Sequence, residues 1–355
     1  MDNRLENIVR GKRVLFITTH RIDYIRNTQE IEIIKKNADS LNLLYGTHNN
    51  HLLSALKILP KVIFSSLKDY DVIFVSYMCQ LVVPFINWKI KGRILIVDFF
   101  ISLYDSMDYD RQKFREDSIG ARISHGLDVN SLKKADLVIA DTRAHASYFA
   151  EEFSAPADKM EILYLVADQE VYYPRPQKKP DMWKDKYLVI YFETVIPLQG
   201  IDIILDAIRL LEDDESIHFL MVGSAAKLYD RSKTSNVTYI DWLSQPELAE
   251  RIAESDLCLA GHFNGHIQKA NRTIPGKAYI YESMGKTMIL GNSIANHELF
   301  EEDERHIFVE MGNAKKLANA IKTVQNSDRQ TDRQIRIIIL KFMACQTMST
   351  IKKCA

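Results

Sequence analysis

The chain has 355 residues and a formal net charge of −1, a length that exceeds one ordinary core and suits two domains of about 150 to 200 residues. Hydrophobic residues at 46% and charged residues at 26% supply enough apolar material for packed cores and enough charge for a water-facing surface. The near-neutral balance excludes a global electrostatic case for nucleic acid, and leaves local basic patches as the route to a phosphate or an anionic membrane.

Met1 to Lys12 is charged and runs straight into a strand-like segment, so the apolar stretch of a secretory signal is not expected there. Cys79, Cys258, Cys345 and Cys354 are too widely spaced for a Cys-x-x-Cys zinc or redox site, and a reducing cytoplasm suits them. No run of about 18 apolar residues occurs. The longest candidate, Leu52 to Leu67, is broken by Lys57, Pro60 and Lys61.

Short runs rich in Val and Ile alternate with longer helical patterns, which is the signature of βα units around a parallel sheet buried on both faces. The first series predicts strands at Arg13–Thr18, Leu41–Tyr45, Val72–Ser76, Ile94–Asp98, Leu137–Ala140 and Glu161–Tyr164. From Asp168 to Lys186 the pattern stops, with Pro174, Pro176 and Pro180 among lysines and tyrosines, and this stretch is expected to be the linker. A second series follows at Tyr187–Phe192, His218–Val222, Val237–Ile240, Leu257–Ala260, Met288–Gly291 and His306–Val309. Helices are expected between them at Ile201–Leu211, Pro246–Ser255 and Lys277–Met284, with another at Ala314–Gln325. The predicted fold class is therefore α/β, as two Rossmann-like, doubly wound parallel-sheet domains facing a cleft. The expected boundaries are residues 1–167 for an acceptor-side domain, 168–186 for the linker, 187–327 for a nucleotide-sugar-binding domain and 328–355 for a C-terminal helix and tail. Ligands of open α/β sheets sit outside the carboxyl ends of the strands, so two such domains make a cleft with one ligand on each side.

The most informative stretch runs from Asn271-Arg272-Thr273-Ile274-Pro275-Gly276-Lys277 through Glu282 to Gly285-Lys286-Thr287. It follows a strand, opens a helix at Pro275 and closes it at Gly285, a suitable C-cap. Free N–H groups and the positive end of the helix would meet Arg272 and Lys277 there, making a site for an anionic diphosphate. Glu282 lies on the same helix but about 140° around it from Lys277.

In this stretch the sequence resembles the nucleotide-sugar glycosyltransferases related to glycosyltransferase family 4, bacterial surface-polysaccharide type, which have the two-domain GT-B fold. Pro275, Lys277, Glu282, Gly285 and Lys286 match the family's helix in order, with Thr287 where proline is usual. The resemblance implies that Glu282 binds the donor ribose and that Lys277 or Arg272 binds phosphate, with Thr273, Ile274 and Gly276 beside them. It extends over Tyr191 to Asp202 and over Ile240 to Leu257. In the opening loop, where the family supplies an arginine and a lysine, this chain has Thr194 or a neighbour and Gln199, which leaves Arg272, Lys277 and Lys269 to carry the charge. The family's first glutamate, eight positions before the second, is here Ile274.

On the other side of the expected cleft, Asp98 to Asp105 follows directly on a strand. Asp98 is a candidate general base on an acceptor hydroxyl or an orienter of the acceptor, against the reading of a strand-end turn carboxylate. Asp105 and the turn residues His20, Arg21 and Asp23 are further acceptor-side candidates.

Gly285-Lys286-Thr287 imitates the end of a P-loop, but the first glycine is missing and a helix precedes it. Asp108-Tyr109-Asp110 imitates a metal-binding pair without standing at a strand end, and His262 and His266 lack a carboxylate partner, so no metal site is expected. No Gly-x-Gly-x-x-Gly follows any strand, which argues against a dehydrogenase. Leu53 to Lys68 is apolar on one side and carries Lys57, Lys61 and Lys68, a candidate for peripheral contact with the inner face of a membrane, against simple packing on its sheet.

The expected activity is metal-independent and cofactor-free transfer of a sugar from a nucleoside-diphosphate sugar to a saccharide or lipid-linked saccharide, in polysaccharide biosynthesis. Arg272 and Lys277 would stabilise the leaving diphosphate, with Asp98 addressing the acceptor. The rivals are a nucleotide-sugar epimerase on the same fold and a non-catalytic nucleotide-sugar-binding protein.

Overall fold

The computed structural model describes residues 4–46, 50–106, 118–176, 178–194, 196–224 and 235–330. These form two six-stranded sheets, parallel throughout. The first holds β1 (Arg13–Thr18), β2 (Ser40–Tyr45), β3 (Val72–Ser76), β4 (Ile94–Asp98), β5 (Leu137–Ala140) and β6 (Met160–Ile162), in the order β2-β1-β3-β4-β5-β6. The second holds β7 (Tyr187–Glu193), β8 (Ile217–Gly223), β9 (Val237–Ile240), β10 (Leu257–Gly261), β11 (Met288–Gly291) and β12 (His306–Val309), in the order β12-β11-β10-β7-β8-β9.

Alternating side chains explain why the strands are apolar without interruption. Leu15 and Ile17 of β1 enter one core layer with Ile73, Val75 and Val97, while Val14 and Phe16 enter the opposite layer with Val72, Phe74 and Ile96. Across the second sheet Val189 and Tyr191 face Phe219 and Ile204, and Leu188 and Ile190 face Leu220 and Ile252. Each sheet thus buries both faces under helices, as parallel sheets require.

The predicted strands are all present, seven of them with the expected bounds and the others with ends shifted by one or two residues. β6 stops at Ile162 rather than Tyr164. Its continuation is drawn off by side chains of the helix Ile25–Asn37, for Arg26 donates to the Leu163 carbonyl and Gln29 to that of Tyr164. The proline-rich stretch 168–186 is not a loose tether. Tyr172 and Trp183 are buried in a core layer of the second sheet, and Ser283 donates to the Tyr172 carbonyl at 2.6 Å. The last helix runs over 314–330, and the tail beyond it, like Asp108-Tyr109-Asp110, lies outside the described residues. No helix among the described residues is long and apolar enough to cross a membrane.

The two halves are joined by a carboxylate. Glu298 accepts the N–H groups of Arg143 and Ala144, each at 2.7 Å, in the first turn of the helix Arg143–Phe153, and the Tyr164 hydroxyl at 2.7 Å. A negative charge from the second half therefore caps the positive end of a helix in the first.

Gly200 fixes the loop after β7. Its φ is +68°, and a Cβ there would stand 2.5 Å from the Asn264 nitrogen and 2.6 Å from the Phe263 carbonyl carbon. Gly200→Ala is expected to cost about 1 to 3 kcal/mol, seen as a fall in Tm, and a variant melting with the wild type would show that the loop relaxes freely.

Candidate active site

In each sheet the connections leave in opposite directions from two neighbouring strands, β1 and β3 in the first and β7 and β10 in the second. Crevices open at the carboxyl ends of such pairs, and these ends gather the polar groups of both halves.

At the second pair, β7 ends on Glu193 and the helix Gly276–Ser283 begins beside it. Pro275 precedes that helix without any side-chain cap, so its first N–H groups face outward. Gly276 is exposed, and a Cβ on it would meet nothing within 4 Å. Lys277 is buried, with its Nζ 2.9 Å from Glu193 Oε2, 2.8 Å from Gln199 Oε1 and 4.9 Å from the centre of the Tyr191 ring. Burial pushes its pKa down, and Glu193 opposes that shift. His262, buried after β10, is held neutral, first by burial and then by Lys277 and Lys269.

Arg272 reaches across to the first half. Its guanidinium lies 3.0 Å from Asp105 Oδ1 and 3.4 Å above the centre of the Tyr148 ring. Lys269 Nζ stands 3.9 Å from the same carboxylate and donates to Ser106 Oγ at 3.3 Å. Thr273 is turned inward, its hydroxyl donating to the Lys269 carbonyl at 2.9 Å, and Ile274 is buried in the core.

Glu282 does not join this group. Its carboxylate meets His306 Nε2 at 2.8 Å and Arg305 at 3.3 Å. His306 opens β12, so Glu282 stands at the amino end of the sheet, opposite to the crevice. Five residues of helix and a 140° turn carry it there, and the carboxylate that does meet Lys277 is Glu193. Lys286 donates to the Ala253 and Ser255 carbonyls at the end of the helix Gln245–Glu254, a helix-closing role.

In the first half the structure corrects the reading of Asp98. It is buried, with Oδ1 2.9 Å and Oδ2 3.3 Å from the Arg26 guanidinium, and Ser76 Oγ lies 3.5 Å away. Glu30, 3.4 Å from Arg26, is pushed well above the usual carboxylate range by burial and by Asp98, so it keeps its proton. Asp98 is thus the counter-ion of a buried arginine and is shielded from any acceptor. Above this network stand His20, Tyr24, His51, Tyr77 and Phe100, half-buried rings in mutual contact, with His20 4.3 Å from Tyr77 and 5.1 Å from His51 between centroids. Tyr77 takes a φ of +39°, a sparsely populated conformation that functional sites often retain. His20 Nδ1 accepts the Arg21 N–H at 2.8 Å, and burial followed by His51 lowers its pKa. The neutral ring therefore carries its hydrogen on Nε2. Asp23 is exposed and paired with Arg21 at 2.5 Å.

Asp105 is positioned by a further carboxylate. Asp128 accepts Ser102 Oγ at 2.7 Å and the N–H groups of Leu103 and Tyr104 at 3.1 and 2.9 Å, and Ser102 accepts the Asp105 N–H at 2.9 Å. The sequence reading missed Glu193, Arg26, Tyr148 and Asp128 as site-building residues. Glu193 carries the signal that singled out Asp98, a carboxylate ending an apolar run.

Asp98→Asn is expected to cost about 3 to 5 kcal/mol by leaving Arg26 without its counter-charge, while the folded fraction turns over normally. A variant of unchanged Tm with turnover selectively lost would restore Asp98 as a base. Burial pushes Asp128 up to about 6 from 3.8, so between those values the folded chain holds a proton that the unfolded chain has lost. The stability this contributes is complete below about 3.8 and disappears as pH rises through about 6. Asp128→Asn is expected to flatten that part of the dependence of Tm on pH, and an unchanged slope would assign it to other groups.

Residues 186–327 match the family described as glycosyl transferases group 1. No curated protein matches the chain. Among solved structures, HepE of Anabaena in complex with UDP is similar with a TM-score of 0.62 at 15% identity, over 90% of this chain and 91% of that one. Sucrose-phosphate synthase from Thermosynechococcus elongatus gives 0.63 at 13% identity, over 88% and 90%. A glycosyltransferase from Rickettsia africae gives 0.61 at 13%, over 89% and 88%. At these identities the likeness is one of fold, and it spans both sheets. The chain has the two-domain fold of the GT-B glycosyltransferases, and its residues 186–327 match the group 1 glycosyl transferases.

Proposed function

We propose that the two halves close on a nucleoside-diphosphate sugar and an acceptor hydroxyl, and that the product is a saccharide built on a lipid carrier at the cytoplasmic side of a membrane. The observation that carries the donor assignment is the meeting of Lys269, Arg272 and Lys277 with an uncapped helix N-terminus at the carboxyl ends of β7 and β10. HepE, of the same fold, was crystallised with UDP and with UDP-glucose, which supports a nucleotide-sugar donor. Two buried free cysteines, Cys79 and Cys258, suit a reducing compartment.

In this reading Asp105 holds Arg272 and Lys269 until the diphosphate replaces it, and the cations and helix N–H groups then neutralise the leaving group without a metal. Glu193 and Gln199 address the donor sugar. The ring cluster from His20 to Phe100 offers flat apolar faces to an acceptor saccharide, and His20 donates from Nε2 to one of its oxygens. As the acceptor oxygen bonds to the anomeric carbon, the bond to the diphosphate breaks and the acceptor proton leaves with the diphosphate or with water.

The test is thermal stabilisation by UDP, GDP, dTDP, ADP and CMP, followed by nucleotide release with saccharide acceptors. One nucleotide is expected to stabilise the folded chain by about 2.7 kcal/mol at a hundred times its Kd. Lys277→Ala should weaken that effect and lower turnover by about a hundredfold or more, whereas Glu282→Ala should leave both unchanged. A panel without any stabilising nucleotide, or a response lost only in Glu282→Ala, would overturn this placement of the donor.

A further inference from the structure

A second surface of the first half, away from the strand ends, has its own chemistry. The helix His51–Phe64 turns Ser54, Ala55, Ile58 and Val62 into the core, yet its other side is also apolar. Leu52, Leu53, Leu56 and Phe64 are exposed there, Phe64 to 88%. The short helix Val83–Ile86 packs against it and adds Phe85 and, just beyond its end, Trp88, the latter 68% exposed. Lys89 donates to the Ile63 carbonyl and Arg93 to that of Leu67 at 2.5 Å, which pins the two segments side by side and makes one surface of them. Scattered exposed apolar side chains need no explanation, but six large ones on two adjoining short segments do.

Charge says what covers them. The chain as a whole has 46 basic and 47 acidic residues, yet 51–68 and 79–97 contain Lys57, Lys61, Lys68, Lys89, Lys91 and Arg93 and neither Asp nor Glu. On the helix, Lys57 and Lys61 flank the exposed apolar arc on the side leading back towards the core. Lysines beside Leu, Phe and Trp give the composition of a helix that lies in a lipid interface, its rings among the acyl boundary and its ammonium groups at anionic headgroups.

We propose that this face docks on an anionic phospholipid membrane, with Leu56, Phe64, Phe85 and Trp88 entering the interface and Lys57, Lys61 and Lys91 on the headgroups. The helix starts at His51, whose ring stacks on His20 at the crevice of the first sheet. Docking therefore sets the acceptor side of the cleft next to the lipid surface, where an acceptor carried on a lipid would present its hydroxyl. The docking itself does not depend on the donor reading.

The experiment is flotation of the purified full chain with phosphatidylcholine vesicles, with and without about one-third phosphatidylglycerol, in the absence of nucleotide. The wild type is expected to float with the anionic vesicles and to be released by salt. Replacing Lys57, Lys61 and Lys91 together by Ala should weaken that binding roughly a hundredfold, from about 1 kcal/mol per lysine near an anionic surface. The triple substitution Leu56→Glu, Phe64→Glu and Trp88→Glu should abolish it while leaving Tm and nucleotide stabilisation as in the wild type, because all three side chains are exposed. The proposal is overturned if the wild type stays behind with anionic vesicles, or if the acidic variant floats as well as the wild type. It is equally overturned if sedimentation velocity shows a wild-type dimer that the acidic variant dissolves, for then a second copy of the chain covers the face. A failure of every nucleotide to bind would remove the donor reading and leave these outcomes untouched.

Discussion

Asp105 is buried between Arg272 and Lys269, both of which come from the other half of the chain. A carboxylate taken out of water needs such partners to offset its desolvation, and breaking the contact leaves charge stranded on both sides. The relative setting of the two sheets follows from this. Asp128 fixes the turn that carries Asp105, Ser102 caps it, Tyr148 supports the guanidinium, and the carboxyl ends of β7 and β10 are thereby brought to face the first half. The same arrangement holds two cations at the crevice against one carboxylate, which leaves a net positive charge there for an anionic ligand.

A second buried charge gives the first half its firmness. Arg26, paired with Asp98 and beside protonated Glu30, lies under the rings of His20, Tyr24, Tyr77 and Phe100, and Phe100 sits 5.6 Å from the guanidinium carbon. One arginine thus closes the ends of β4 and β6 and carries the floor of an aromatic surface. Rigid support of this kind lets a half-buried residue such as Tyr77 keep a sparsely populated backbone conformation.

Most of the fold was legible because parallel sheets write their strands as unbroken apolar runs. Val72–Ser76 and Met288–Gly291 were found to the residue, and β6 was carried too far, into the stretch whose carbonyls side chains from a distant helix take up. The site was less legible, since its parts act at long range. An aspartate ending a strand looks the same whether it faces solvent or the side chain of Arg26, 72 positions away. Glu282 was chosen by order along a helix, and order does not say which end of the sheet a side chain reaches. Lys277 and Arg272 were visible as cations at a βα mouth, but their carboxylate partners, Glu193 and Asp105, come from other elements and no local spacing pairs them. The apolar stretch from Leu53 was visible too, whereas its continuation through Phe85 and Trp88 needed the two helices to be side by side.

Glu298 bears on how the cleft moves. Its carboxylate is shared by two backbone N–H groups and a phenol across the boundary between the halves, all of which water can satisfy once they part. Each such bond is worth only about 0.5 to 1.5 kcal/mol net, rising to about 3 when one partner is charged. A helix whose first turn is capped by another domain would lose that cap if the halves parted. Amide exchange at Arg143 and Ala144, just beyond the carboxyl end of β5, would therefore report any parting of the two halves.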